Sequence, residues 1–544
     1  MKLADLSGKK FRWLALVVLA ASLAIIIIDN SVLNVAIPYI LRDLNTSLDS
    51  MQWVVSGYAL IIATLLITMG RLGDLFGRKK IFIIGLVLFA TGSFIASIAT
   101  NIRILFLGEA LIEAIGAAMM MTSSLSLIST EFQGRERAIA FGVWGSVAGA
   151  AASLGPLLGG YFTTYYSWRW SLRINVVVAI IAIIGSVFVK EAKSEEKKRF
   201  DWPGTFLSGT GLFSLVFGLI EGQKYGWLKP NEAFGLFGWS WPSTNFSIIP
   251  VAFILAIILL GLFLLWQNKL EKADRQPLIR LSMFKNIGFS IGLITIGIVS
   301  LGQFGIFFIA PIYLQNVLGR DAFHTGLLFL ISSITAFIIG PITGFIASKF
   351  HPKWIVVSGM FILALATFLL RHAISTTATG WTLAPALIIL GFGIGMASAQ
   401  LTNIILSSIP NKLAGEASAL NATVRQIGTS IGIAVIGMVL ASGITSNVKI
   451  NVQADTKIPN QIKNPIIQMT NSTSVENGQA KNIQVATPQI TSQIKTDINN
   501  AIVDASKKSL LAAFFFVLAG ALAALFLRPT HHEDHDFEPE KEKA

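Results

Sequence analysis

Three carboxylates stand in apolar surroundings that oppose charge. Asp29 follows four isoleucines and precedes Asn30 and Asn34, while Glu109 and Glu113 lie four residues apart in the apolar stretch 103–128. An acid at the centre of a membrane-spanning helix costs about 2.5–3.5 kcal/mol on insertion scales. Removal from water favours the neutral form, so such a group can load and release a proton. The i, i+4 spacing puts Glu109 and Glu113 on one helix face, expected to line a cavity that would be acidic and favour cations. The competing reading is static pairing with Arg173 or Arg425. Asn34, Gln303, Gln400, Asn403 and Arg425 are candidates to bind a substrate in that cavity, although helix-to-helix contacts explain any one of the amides equally well.

A second constellation is GRLGDLFGRKK (70–80), a knot of charge and glycine between two apolar runs. Gly70, Gly73 and Gly77 permit a tight turn and close helix approach. Asp74 can lie against a helix N-terminus, where its charge is favoured by about 0.3–1 kcal/mol. Arg78, followed by Lys79, can reach an acid at a neighbouring helix end, and Glu131 is the candidate. Such a charge lock would hold in one state and release in another; the plainer reading is a basic loop. A third constellation is the run of Gly142, Gly145, Gly149, Gly155, Gly159 and Gly160, with Pro156 among them. It predicts a helix with a bare side for close packing and a bend at the proline.

The elements that must carry these residues follow from composition. Of 544 residues, 53% are hydrophobic and 13% charged, about half the charged share of a soluble domain. Apolar runs of about 20 residues, enough to cross a bilayer as helix, recur along most of the chain. Fourteen spans are expected, roughly 13–40, 51–70, 79–99, 103–128, 137–165, 168–190, 203–223, 247–267, 286–310, 323–348, 353–373, 380–408, 413–441 and 509–527. The fold class is therefore an all-α polytopic membrane protein. The first span is too long for a cleaved signal peptide and lacks a small-residue cleavage site.

Basic residues choose the orientation. With the amino terminus in the cytoplasm, 26 Lys and Arg fall on that side and 8 on the short loops and helix ends opposite, as the positive-inside rule requires. Both termini are then cytoplasmic. The net charge of +13 is a topology signal, and no nucleic-acid partner is expected. GRLGDLFGRK (70–79) repeats as GFIASKFHPK (344–353), where Gly70 matches Gly344, Phe76 matches Phe350 and Lys79 matches Lys353, with Ser348 in place of Asp74. Pseudo-symmetric halves follow, in a 6+2+6 arrangement: 1–190, then a linker and two extra helices over 191–285, then 286–544. The last unit includes an outer loop, 443–508, and a cytoplasmic tail, 528–544. Within that loop Ile490, Ile494, Ile498 and Ile502 recur every four residues, which predicts an amphipathic helix; a polar linker is the alternative.

The motifs together resemble the major facilitator superfamily, in its fourteen-helix drug–proton antiporter branch. G-x-L-x-D-x-x-G-R-K is similar to that superfamily's loop motif, DNSVLNVAIP (29–38) to the branch's first-helix motif, and LGPLLGG (154–160) to its fifth-helix antiporter motif. WRW (168–170), FDWPG (200–204), IYLQNVLG (312–319) and VRQIG (424–428) extend the likeness. One departure stands out. Where the branch usually has R-x-x-Q-G-x-G in the fourth helix, this chain has Ala110, Glu113, Ala114 and Gly116. The usual arginine is missing and the glutamine has become an acid.

The resemblance implies a proton-coupled antiporter in the cell membrane that exports small amphipathic or cationic compounds by alternating access. On the residue reading above, Asp29, Glu113 and Glu109 are the expected proton-coupling groups, and Gly70, Gly73, Asp74, Gly77, Arg78 and Lys79 with Glu131 the expected cytoplasmic gate; the resemblance marks Gly142, Gly155, Pro156, Gly159 and Gly160 as the antiporter motif. Expected partners are a small-molecule substrate, protons and lipid, with a monomer as the working unit. Export of a lipid-like or endogenous metabolite is the runner-up. A membrane enzyme would need a nucleophile with its base, or a metal cluster, at one membrane face, and His324, His351 and His372 are scattered. No cofactor or metal is expected. There is no Cys, HHEDHD (531–536) reads as a solvated tail, and NSTS (471–474) is a bare glycosylation tripeptide.

Overall fold

Apolar runs leave the backbone as the only polar material in a membrane span, and a helix satisfies every peptide group within itself. The computed structural model accordingly contains long helices and one small hairpin. It describes residues 9–46, 48–191, 200–236, 239–241, 245–273, 275–347, 349–410, 413–455, 458, 463 and 488–527. The Ser348 position, NSTS and the charged tail lie outside these residues.

In chain order the helices are α1 (Lys9–Asp43), α2 (Leu48–Phe76), α3 (Arg78–Ser97), α4 (Ile102–Glu131), α5 (Gly134–Tyr165), α6 (Trp168–Gly185), α7 (Trp202–Tyr225) and α8 (Ile248–Lys272). They continue as α9 (Ile287–Asn316), α10 (Ala322–Ile346), α11 (Pro352–Ala373), α12 (Gly380–Ser407), α13 (Ala414–Ala454) and α14 (Pro488–Ala524). Among the described residues, 13 of these helices are long and apolar enough to cross a membrane, α5 being the exception. Two short strands, β1 (Gly235–Leu236) and β2 (Trp239–Ser240), pair antiparallel between α7 and α8.

The sequence repeat is a structural one. In α1–α6 the first helix packs on the fifth and sixth, the second on the fourth, and the third on the fourth and sixth; α9–α14 repeat all of these pairings. Two seams join the halves, each placing the second helix of one half on the fifth of the other: α2 on α13, and α10 on α5. The extra pair α7–α8 packs together, and α7 lies on α2 and α13 at the first seam.

Two expectations change. The knot at 70–80 is not a loop: α2 continues as helix to Phe76, and the turn is confined to Gly77, whose φ of 109° belongs to glycine. The described parts of 443–508 are also largely helical. α13 runs 41 residues and α14 starts at Pro488, so both rods continue past their apolar spans. In the extension Ile494 and Ile502 are buried, with Ile490 and Ile498 partly so, in a cluster that includes Val448 and Val452. Lys508 Nζ donates to Asn447 Oδ1 at 3.3 Å, and Asn451 Nδ2 to the Asp497 carbonyl at 3.2 Å.

A polar clip ties the opposite ends of α1, α3 and α6. Asp43 accepts a hydrogen bond from Trp168 Nε1 at 3.0 Å and an ion pair from Arg169, which also donates to the Ala99 carbonyl at 2.9 Å. The indole and guanidinium hold the Asp43 carboxyl below the usual aspartate range.

Two outcomes follow. Ile502→Ala should destabilise by about 2–4 kcal/mol, the usual cost of emptying a buried aliphatic site, seen as a lower thermal midpoint; Ile450→Ala, at a 59% exposed position, should leave it unchanged. Asp43→Asn should lower the midpoint at pH 7. A depressed folded-state value means the contribution is complete above the ordinary value of 3.8 and fades as pH falls through the folded one. The gap between variant and wild type should therefore close below about pH 4, as thermal unfolding across a pH series will show.

Candidate functional site

The three acids meet. One carboxylate oxygen from each of Asp29, Glu109 and Glu113 lies within 4.8 Å of the others, and all three side chains are at most 1% exposed. Asn175 on α6 donates to Asp29 at 2.6 Å and to Ser93 at 3.2 Å. Tyr58 on α2 is buried, and its phenol lies within the electrostatic reach of all three carboxylates. Helices α1, α2, α3, α4 and α6 thus all contribute. The acids sit inside the first half's own bundle, where the sequence reading had placed them on the central cavity. Static pairing is not what holds them. Arg173 lies over Trp170 at 5.0 Å and Arg425 beside Trp144 at 5.9 Å. Among the described residues no basic group neighbours the three acids.

The local backbone explains the placement. α4 is π-helical from Phe106 to Glu113, a widened turn common at functional sites, and both glutamates ride on it. Against it lies α3 at backbone contact. A Cβ at Gly92 would fall 2.5 Å from Glu113 N, and one at Gly108 2.6 Å from Ala96 N. Only glycine allows this approach, which presses Glu113 toward Ser93.

At the end of the bundle that carries Gly77, charge crosses between halves. Asp74 and Arg78 are both buried, and Arg78 donates to Asp74 through Nη2 at 3.0 Å and Nε at 3.1 Å. The Asp74 carboxylate rests on the first turn of α13, where a Cβ on Gly415 would sit 2.6 Å from its Cγ. No side chain at Leu413 caps that turn, so an acid there suits the exposed N–H groups. Beside it Arg71 pairs with Glu416 at 3.7 Å and donates to Gln276 at 3.4 Å, while Glu416 accepts the Arg280 N–H at 3.0 Å. Gly70 abuts Ala419, where a Cβ would be 2.6 Å from its methyl. Glu131 does not take Arg78. It pairs with Arg12 at 3.3 Å and Lys190 at 3.7 Å within its own half, because the helical continuation of α2 turns Arg78 back onto Asp74. Glu191 accepts the Lys79 N–H at 3.0 Å and so caps α3.

The glycines of α5 serve two neighbours. Gly155 and Gly159 face Ser31 and Val32 of α1, whereas Gly142 and Gly160 face Gly340 and Phe323 of α10 in the other half. The helix runs unbroken through Pro156, whose side chain, like that of Asn34, lies outside the described residues. Gln400 and Asn403 are buried on α12, while Gln303 and Arg425 are partly exposed.

A model of the Major Facilitator Superfamily matches residues 19–433. The chain belongs to that superfamily. It is 31% identical to the methylenomycin A resistance protein of Bacillus subtilis over 430 residues, covering 78% of this chain and 87% of the relative. It is 28% identical to the multidrug resistance protein Stp of Mycobacterium tuberculosis over 438 residues, covering 80% and 77%. Among solved structures, the proton:xylose symporter XylE superposes with a TM-score of 0.58 at 12% identity, over 96% of both chains, which supports the fold. This facilitator is a multi-pass membrane transporter.

The contact of Asp74 with the first turn of α13 joins the two halves at this end. Sequence reasoning missed its partners Glu416 and Gly415; the only signal was a lone acid in a first helical turn. Asp74→Asn should insert normally yet lose at least about tenfold in transport, and Gly415→Ala should do the same without changing any charge. Uptake or efflux assays at matched expression will decide; near-normal transport by both variants would contradict a cross-half clamp.

Proposed function

We propose that this protein exports small amphipathic or cationic compounds from the cell in exchange for protons. The carrying observation is the buried meeting of Asp29, Glu109 and Glu113 without a basic neighbour among the described residues. Like charges this close in a dry site cannot all be ionised, so the cluster titrates as a unit that holds and exchanges protons. Glu113 occupies the position where the branch usually has an amide, and this chain therefore has one more titratable group where it lacks the usual arginine. The names of the antibiotic- and multidrug-resistance relatives support the substrate reading.

In this mechanism the six-helix halves 1–190 and 286–544 rock against each other along the α2–α13 and α5–α10 seams. The end bearing Gly77 faces the cytoplasm, as the basic residues indicate, and the clamp there is closed. Access is then from outside, where protons enter and load the carboxylates. Loading changes the charge inside the first half and shifts the balance between the clamped and released arrangements. Asn175 positions Asp29 by its hydrogen bond, and the Gly92–Gly108 contact keeps water from the cluster.

Substrate-induced proton release from purified protein in detergent, across a pH series, tests the proposal. Asp29→Asn should abolish coupling to an imposed proton gradient while downhill substrate exchange survives. Glu113→Gln should weaken coupling less. Unchanged proton release in the double variant would place coupling elsewhere.

A further inference from the structure

Between the halves, polar groups without partners gather on facing helices. Arg425 is the twelfth residue of α13 and Trp144 the eleventh of α5, so both lie about 15–17 Å along their helices at 1.5 Å per residue. That is near the middle of a core about 30 Å thick. The guanidinium carbon lies 5.9 Å from the indole centroid. Trp144 Nε1 is buried without an acceptor, and so are both amide atoms of Asn421 and the hydroxyl of Ser418. Ser418, Asn421 and Arg425 share one stripe of α13 by i, i+3 and i+7 spacing, and Arg137, Phe141 and Trp144 share one of α5. Arg137 is buried too; it donates to Ser129 Oγ at 2.6 Å and lies over Phe141 at 5.9 Å. Among the described residues neither arginine has a carboxylate neighbour.

Arginine and indole N–H groups only donate. A buried Arg137, a partly exposed Arg425 and an orphaned indole donor, with no acid in reach among the described residues, therefore call for an acceptor carrying negative charge. A planar guanidinium matches a carboxylate or phosphate in bidentate fashion. The geometry points to Arg425, assisted by Trp144 and Asn421, as a binding site for the acidic group of an amphipathic anion, with the substrate's apolar body against the Trp144 and Phe141 rings. This deepens the export reading and rests on it: acid-bearing amphiphiles are among the substrates. The acids of the first half lie in a separate compartment and do not oppose the anion.

Three probes of matched shape test it: pyrenebutyrate, pyrenebutanol and pyrenebutylammonium. Their binding is measured by fluorescence anisotropy to protein in zwitterionic nanodiscs, without any ion gradient, so that the result is independent of proton coupling. Wild type should bind the carboxylate at least about tenfold tighter than the alcohol. Arg425→Gln should erase that preference, leave the alcohol within about twofold, and leave the ammonium unchanged or tighter. Arg425→Lys should retain part of it, and Trp144→Phe, which keeps a ring but removes the donor, should weaken only the carboxylate. No carboxylate preference in wild type, or an equal loss for all three probes in the variants, overturns the assignment. If Arg425→Gln does not fold, Arg425→Lys and Trp144→Phe decide alone.

Discussion

In hydrocarbon, water no longer drives apolar surfaces together, and helices associate according to how closely their backbones can approach. Here that approach is repeatedly set by glycine. Gly92 and Gly108 bring α3 and α4 into backbone contact, Gly142 and Gly344 do so at the α5–α10 seam, and Gly70 lets α2 press on the Ala419 side chain of α13; a Cβ at any of these glycines would fall 2.5–2.7 Å from an atom of the facing helix. The first of these contacts fixes the π-helical turn and hence the acids. The other two fix how the halves meet. Electrostatics then acts on a framework whose spacing has already been decided.

The repeat makes the division of labour visible. Gly70 and Gly344 hold equivalent places on the second helix of each half, and each presses on the fifth helix of the other: Ala419 for one, Ile139 for the other. The first seam adds buried charge, through Asp74 and the Arg71–Glu416 pair. The two seams are therefore built differently, the first carrying a buried ion pair that the second does not show among the described residues.

Much of this was legible in the sequence. Apolar length located the 13 apolar helices among the described residues, and the match of 70–79 with 344–353 announced the repeated packing of the two halves. The four-residue spacing of Ile490 to Ile502 revealed a helix within a polar stretch. What stayed hidden depended on tertiary context. A π-turn leaves no mark in apolar periodicity. The end of α2 looked like a loop because glycine and charge favour turns in water, whereas here they pack against α13 and the stretch stays helical. Glu416 could not be matched with Arg71, since nothing local links them. Acidity alone could not say whether Glu109 and Glu113 face the central space or their own bundle; the glycines of α3 decided it.

The length of α13 has a mechanical meaning. Gly443 to Ala454 prolongs it by 12 residues, roughly 18 Å of rigid rod at 1.5 Å per residue, braced by the first turns of α14. α13 is also the helix on which Asp74 rests at the far end. The rod thus joins the charged clamp at one end to the braced extension at the other. A tilt of α13 at the clamp would therefore move the extension as one body, and an antibody fragment bound to the extension would hold the clamp still.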